Sequence, residues 1–244
     1  MKILKLNSSF LLVILVLSFL SVSSGCHYFI EGVDGNGVVV SEDRPIKPFI
    51  AIQIGGAFEV ILTQGDKVSL KIEADENLLD YIITDVRGDE LIIETESEIR
   101  KCKVLKAYIT FVELESLELS GAVEMMGEGR LEFNKLNIDA SGATEINMDI
   151  TAEVLKMDVS GASEVALSGI ANEVYIDASG ASELSAGDLE TEAFSLEISG
   201  AGDATIFVKE RLDVTVSGAA HVTYLGDPEF VNRDVSGAGS VKSR

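Results

Sequence analysis

Tryptophan is absent from this 244-residue chain, aromatic residues make up only 6% of it, and prolines number three. Bulk in any core must therefore come from Ile, Leu and Val, and turns must be made by the 22 glycines rather than by proline. The only two cysteines are Cys26 and Cys102, too few for a disulfide framework. Positive charge is scarce as well: 19 Lys and Arg stand against 41 Asp and Glu, for a formal net charge of −22. So acidic a chain lacks the field that draws in phosphate backbones or anionic lipid, which excludes nucleic acid as a partner and leaves cations, neutral surfaces or basic ones. With 46% hydrophobic and 25% charged residues, it is neither disordered nor collagenous, and the mix favours strands.

The one long apolar run, residues 10–20, is about half the roughly 20 residues that a membrane helix needs. Lys2 and Lys5 precede it and Ser21-Val22-Ser23-Ser24-Gly25-Cys26 follows, the pattern of a secretory signal at residues 1–25. Ser23-Ser24-Gly25-Cys26 resembles a bacterial lipobox, in which cleavage precedes a cysteine that receives lipid, although Leu is commoner where Ser23 stands. The expectation is an exported protein, lipid-anchored at Cys26 in the cell envelope at the outer membrane, with ordinary signal cleavage nearby or an uncleaved anchor as alternatives. Residues 26–48 read as a tether or edge strand. Gly32-Val33-Asp34-Gly35-Asn36-Gly37 has neither the basic residue of a phosphate loop nor the downstream Glu of a calcium loop at the right spacing. Once Cys26 is lipidated Cys102 has no partner, and it reads as buried or inert.

Internal repetition decides the fold. Ser-Gly-Ala begins at Ser120, Ser141, Ser160, Ser179, Ser199, Ser217 and Ser236, at intervals of 21, 19, 19, 20, 18 and 19 residues. Before each serine, apolar residues alternate at minus five, minus three and minus one, as in Leu155/Met157/Val159 and Phe194/Leu196/Ile198. Others recur at plus five and often plus seven, such as Ile146 and Met148. Period two means strand. A unit of about 19 residues cannot bury its apolar side alone, so the repeats must stack in register. The expectation is an all-β, parallel, right-handed β-solenoid over residues 113–244, each coil holding two short strands joined at a Ser-Gly-Ala corner. In that corner Gly supplies a positive φ or close approach, Ala fits a crowded stack, and Ser bonds neighbouring backbone. A binding role for the serine column is the alternative. The last coil, with Asp227-Pro228 before it and Arg233 at an otherwise apolar position, reads as a cap, and Lys242 and Arg244 charge the final edge. Residues 49–112 lack the tripeptide but alternate over 49–54, 58–63, 68–74, 91–95 and 107–112, with a helical turn near 76–82. They form the opening coils or a small β-module against the stack.

Aligned repeats place two acidic columns on the outer face. One holds Glu118, Asp139, Asp158, Asp177, Glu197 and Asp234; the other holds Glu124, Glu145, Glu164, Glu183 and Asp203, with His221 and Ser240 after them. Like charges one rung apart repel by roughly 1 kcal/mol in water, which solvent and partial protonation relieve or Ca²⁺ relieves by bridging carboxylates. Calcium at these columns is the only cofactor the sequence points to. Catalysis has weaker footing: His221 with a column serine and an acid makes a triad only on paper. Lys156 and Arg211 are isolated where a lyase needs a base, and no carboxylate pair is singled out for glycoside hydrolysis. Aromatic platforms for a sugar are limited to Tyr175, Phe207 and Tyr224.

Residues 57–94 carry Phe58-Glu59-Val60, Gln64-Gly65-Asp66, Ala74-Asp75, Asn77-Leu78-Leu79 and Gly88-Asp89-Glu90-Leu91-Ile92-Ile93. Together with the Ser-Gly-Ala series they resemble the auto-transporter adhesin "head GIN domain" family, over nearly the whole chain from about residue 46. The resemblance implies a bacterial envelope protein with a pectin-lyase-like β-helix, serving adhesion, with sugar contacts at the repeats and no catalytic residues to transfer. The expected function is a non-catalytic adhesin or carbohydrate-binding lipoprotein that holds a glycan or other cell-surface ligand through contacts repeated coil by coil. A polysaccharide-processing enzyme and a structural envelope module are the alternatives. Nothing in the sequence marks an oligomeric state.

Overall fold

A computed structural model describes residues 32–244; the predicted signal peptide and Cys26, the expected site of lipidation, lie outside the described residues. The first strands are β1 (Val33–Asp34), β2 (Val39–Arg44), β3 (Ala51–Gly56), β4 (Glu59–Gln64) and β5 (Ser69–Asp75). After a 3-10 helix at Glu76–Tyr81 come β6 (Ile82–Arg87), β7 (Glu90–Thr95), β8 (Ile99–Lys101) and β9 (Leu105–Phe111). The repeats occupy β10 (Ser116–Phe207), β11 (Arg211–Leu225), β12 (Phe230–Gly237) and β13 (Ser240–Ser243).

Strands take up 79% of the described residues, so the all-β expectation holds, but the architecture is not the expected parallel, right-handed, pectin-lyase-like solenoid. The strands form a mixed sheet curled into a nearly closed barrel. Three ladders run antiparallel: β2 with β5, β5 with β9, and β6 with β7. The reason is local in the last case. Only Gly88-Asp89 separates β6 from β7, and so short a link joins antiparallel neighbours alone; Gly88 has the positive φ, 64°, that such a hairpin turn requires.

The tripeptide also behaves differently from the expected corner. The ladder runs through it unbroken, and β10 is a single run of 92 residues. Straight, that run would extend roughly 300 Å at about 3.3 Å per residue. It bends back instead at each glycine, so that successive repeats lie side by side. The link from β10 to β11 is parallel and in register, with Ser199 beside Ser217 and Gly200 beside Gly218. Each bend is reserved for glycine by two facts. At Gly161 φ is 102°, and a Cβ there would sit 2.2 Å from the carbonyl oxygen of Gly142. The same approach recurs from Gly121 to Gly237.

The column has one member more than the sequence revealed. Gly121 rests on Gly56, and Ser120 pairs with Gly55, so Gly55-Gly56-Ala57 is a first copy of the motif with glycine in place of serine. Strands β5 to β9 are inserted between that copy and the next.

The period-two assignment places the core correctly. Leu136, Leu155, Val174, Phe194 and Leu212 are each at most 1% exposed, and Ile146, Val165, Leu184, Ala204 and Val222 line the opposite wall. They belong to a continuous cluster that reaches Phe49 at one end and Val241 at the other. The 3-10 helix, expected near residues 76–82, buries Leu78 completely. The last rung, read as a cap, pairs with β11 on one side, and every residue of β12 is exposed.

Candidate functional site

Alternation that turns one set of side chains into the core turns the next set outward, and register then stacks equivalent residues into columns. The eight column acids that run from Asp139 to Asp203 are all exposed: Asp139, Asp158, Asp177 and Glu197 in one column, Glu145, Glu164, Glu183 and Asp203 in the other. None of the eight has an ion-pair partner among the described residues.

Between the second column and the glycines runs an open trough of about 700 Å³ that spans five repeats. Its floor is made of alanines, from Ala122 to Ala201, together with Val123, Thr144, Ser163, Ser182 and Gly202; Glu124 through Asp203 form its wall. Side chains this small leave backbone and methyl groups within reach of a ligand. The floor is also rigid, because the buried Thr144 and Ser163 hydroxyls bond each other at 3.0 Å across one rung. A smaller depression of about 440 Å³ is lined by Glu118, Asp139, Asp158 and Asp177 with Ser141, Ser160 and Ser179. Glu197 lies further along, beside Lys156 and Tyr175.

The serine column divides. Ser120, Ser141 and Ser236 donate to the carbonyls of Ile54, Leu119 and Val216 in the preceding rung, so these hydroxyls tie repeats together. Exposure does not follow this division: Ser141 and Ser236 are exposed like Ser160, Ser199 and Ser217, and Ser120 is half-buried like Ser179. The carboxylates do not converge on a cation: among the described residues no three His, Cys, Asp or Glu side chains are gathered to hold a metal. His221 turns its Nδ1 to the Ser240 hydroxyl, 3.0 Å away in the next rung, rather than to a serine of the tripeptide column. Of the three aromatic platforms only Tyr175 stands clear of the surface, at 42% exposed, whereas Tyr224 is buried in the core.

Charge on the surrounding face is arranged in local pairs. Arg211 donates to Asp213 at 2.7 Å, and this bond, aided by one from Asn232, holds the Asp213 carboxyl below its ordinary value. Arg130 grips Asp149 through two nitrogens, at 2.9 and 3.2 Å. Tyr175 donates to Glu173 at 2.8 Å, which raises its phenol pKa, with Lys156 over its ring at 5.4 Å.

One polar centre escaped sequence reasoning. Asp75 is 1% exposed, and its carboxylate accepts the backbone N–H groups of Gly37 at 2.8 Å and Lys103 at 3.1 Å. Asn77 continues the latch, accepting from Asn36 N–H and donating to the Asp34 carbonyl. The glycine-rich stretch at 32–37, unfit for phosphate or calcium, is thus fitted to Asp75: a Cβ at Gly35 would lie 2.0 Å from its carboxylate. The asparagine and glycines of 34–37 were the available signal, but their partner lies about forty residues away. Cys102, expected to be buried or inert, is exposed; partial desolvation and then the Asp75 charge push its thiol pKa up, away from a reactive thiolate.

Fold and surface together define an all-β repeat protein with an open, acidic, shallow-floored face. The chain belongs to the family described as "Putative auto-transporter adhesin, head GIN domain", whose sequence profile matches residues 48–228. A comparison with curated proteins finds no match. Among solved structures, a "putative adhesin" from Bacteroides fragilis superposes with a TM-score of 0.84 at 24% identity, covering 87% of this chain and all of its own. A "putative lipid binding protein" from Parabacteroides distasonis gives 0.72 at 22%, covering 88% of this chain and all of its own. A "putative adhesin" from Parabacteroides merdae gives 0.71 at 20%, over 87% of this chain and 99% of its own. At these identities the likeness is one of fold.

Proposed function

We propose that this protein is a cell-surface adhesin that binds an extended glycan along its acidic trough without cleaving it. The observation that carries this reading is the trough itself: about 700 Å³, open along its length, and repeated in composition over five rungs. Carboxylates with no cationic partner accept hydrogen bonds from sugar hydroxyls, and the alanine floor offers apolar contact to the ring faces. Each rung contributes little. A chain that engages several rungs gains affinity through effective concentration rather than from any one contact. The same reading places the protein outside the cell, exported by residues 1–25 and held by lipid on Cys26 to the outer membrane.

The test is binding of the purified protein to arrayed neutral, acidic and amino-bearing polysaccharides, followed by a length series of oligosaccharides from the best binder. Affinity is expected to rise at least about tenfold when the oligosaccharide doubles from two rungs to four, with no shortened product. The double variant Glu164→Gln/Glu183→Gln is expected to lose most of that gain while melting like the parent. Binding that ignores length, or any cleavage of the glycan, would sink the proposal, and Cys26 lipidation is checked by mass spectrometry of the membrane-extracted protein.

A further inference from the structure

In β12, the carboxy-terminal rung, a row of core columns ends in solvent. The strand pairs with β11 on one side, and among the described residues nothing pairs with its other side. Val231 lies beside Leu212, Arg233 beside Val214 and Val235 beside Val216, three residues of which none is more than 2% exposed. On β12 itself Phe230 is 67% exposed, Val231 37% and Val235 42%. An apolar row is therefore cut off beside a line of unpaired backbone N–H and C=O groups, the arrangement that takes up one more strand.

Arg233 defines what that strand must be. It occupies the position held in earlier repeats by Ile138, Met157, Ile176 and Leu196, all buried. No carboxylate among the described residues pairs with it. On a chain with a net charge of −22, this is a basic centre framed by valines. A second copy meeting this edge antiparallel about Arg233 would set two guanidiniums opposite each other, with Cβ atoms only about 5 Å apart.

We propose that β12 is the docking edge for an extended strand of a partner protein whose inward residues alternate apolar, acidic, apolar over Val231, Arg233 and Val235. The backbone ladder supplies affinity, and the buried pairing of an Asp or Glu with Arg233 supplies selectivity and register. This site is independent of the glycan trough, which lies on the outer face.

The test uses the full chain and two short synthetic peptides that alternate threonine with Val, Asp, Val in one and Val, Lys, Val in the other. The aspartyl peptide is expected to bind saturably and at least about tenfold tighter than the lysyl peptide, as read by fluorescence anisotropy. Arg233→Glu is expected to reverse that order, a gain that a misfolded variant cannot produce. Equal binding of both peptides, no binding of either, or retention of the order by Arg233→Glu overturns the proposal. So does sedimentation showing a dimer that Arg233→Glu abolishes and the aspartyl peptide fails to compete away, since the occupant is then a second copy.

Discussion

At its amino-terminal end the sheet stops at β2 and β6, both paired antiparallel to their neighbours, with the 3-10 helix burying Leu78 beside them and Asp75 fastening the loops at 34–38 and 101–103. At its carboxy-terminal end the sheet stops at β12, parallel like the rungs before it and exposed at every residue. The difference shows what a repeat can and cannot do. A repeated sequence presents the same edge at every rung, so it propagates a core without ever closing one. Closure needs sequence that departs from the repeat, and among the described residues the segment 32–112 provides it at the end bounded by β2 and β6.

Substitutions can break that contrast or sharpen it. The largest effect is expected in the interior that both ends share: Gly161→Ala places a methyl group 2.2 Å from the Gly142 oxygen at a φ of 102°. Neither rung can move without its neighbours, so a loss of about 4 kcal/mol is expected, measured by denaturant unfolding. Next comes a direct comparison of ends. Leu78→Ala empties a fully buried site and is expected to cost about 3 kcal/mol, whereas Val231→Ala on the open rung is expected to cost less than about 1. Equal losses would mean that the carboxy-terminal end is as closed as the other. Asp75→Ala leaves two part-buried backbone N–H groups without their acceptor and is expected to cost about 2 kcal/mol, with proteolytic nicking confined to the loop at 34–38.

The smallest effect concerns acid. Asp213, on β11, is bonded by Arg211 and by Asn232 of the final rung, and these bonds hold its carboxyl below the ordinary value. A carboxyl depressed on folding adds stability above its unfolded pKa, and that stability is lost as pH falls through the folded value. Asp213→Asn should therefore melt nearer to the parent in acid, once the pH has fallen through the depressed folded value, than at neutral pH. The difference is expected to be small because the pair is largely solvated.

Much of this was legible in the sequence because it is local. Period-two alternation identified Leu155, Met157 and Val159 as core, and adding the repeat interval placed Glu145, Glu164 and Glu183 in one outward column. What stayed hidden is long-range. The parallel order of the repeats leaves residues 49–112 open between further coils and a separate β-module, because the antiparallel pairing of β5 with β9 is set by contacts between segments more than thirty residues apart, which no local pattern encodes. The tripeptide reads in sequence as a corner joining two separate strands, its glycine supplying a positive φ or a close approach, and the glycine does both. The strands are not separate, because that positive φ bends the chain while the ladder continues. Gly55-Gly56-Ala57 was missed because one serine is replaced and the inserted strands break the interval. Asp75 was missed because nothing around it in sequence reveals a buried carboxylate.

The in-register stacking of repeats has a mechanical consequence. Hydrogen bonds between rungs lie across the strands, along the direction in which the repeats follow one another. A pull on the carboxy-terminal segment away from the stack therefore loads those bonds one rung at a time, as in opening a zipper, and does not shear many at once. Under tension such a protein is expected to yield in steps of about one repeat each, letting out some 19 residues of slack per step, which stretching a single molecule would reveal as an even series of extensions.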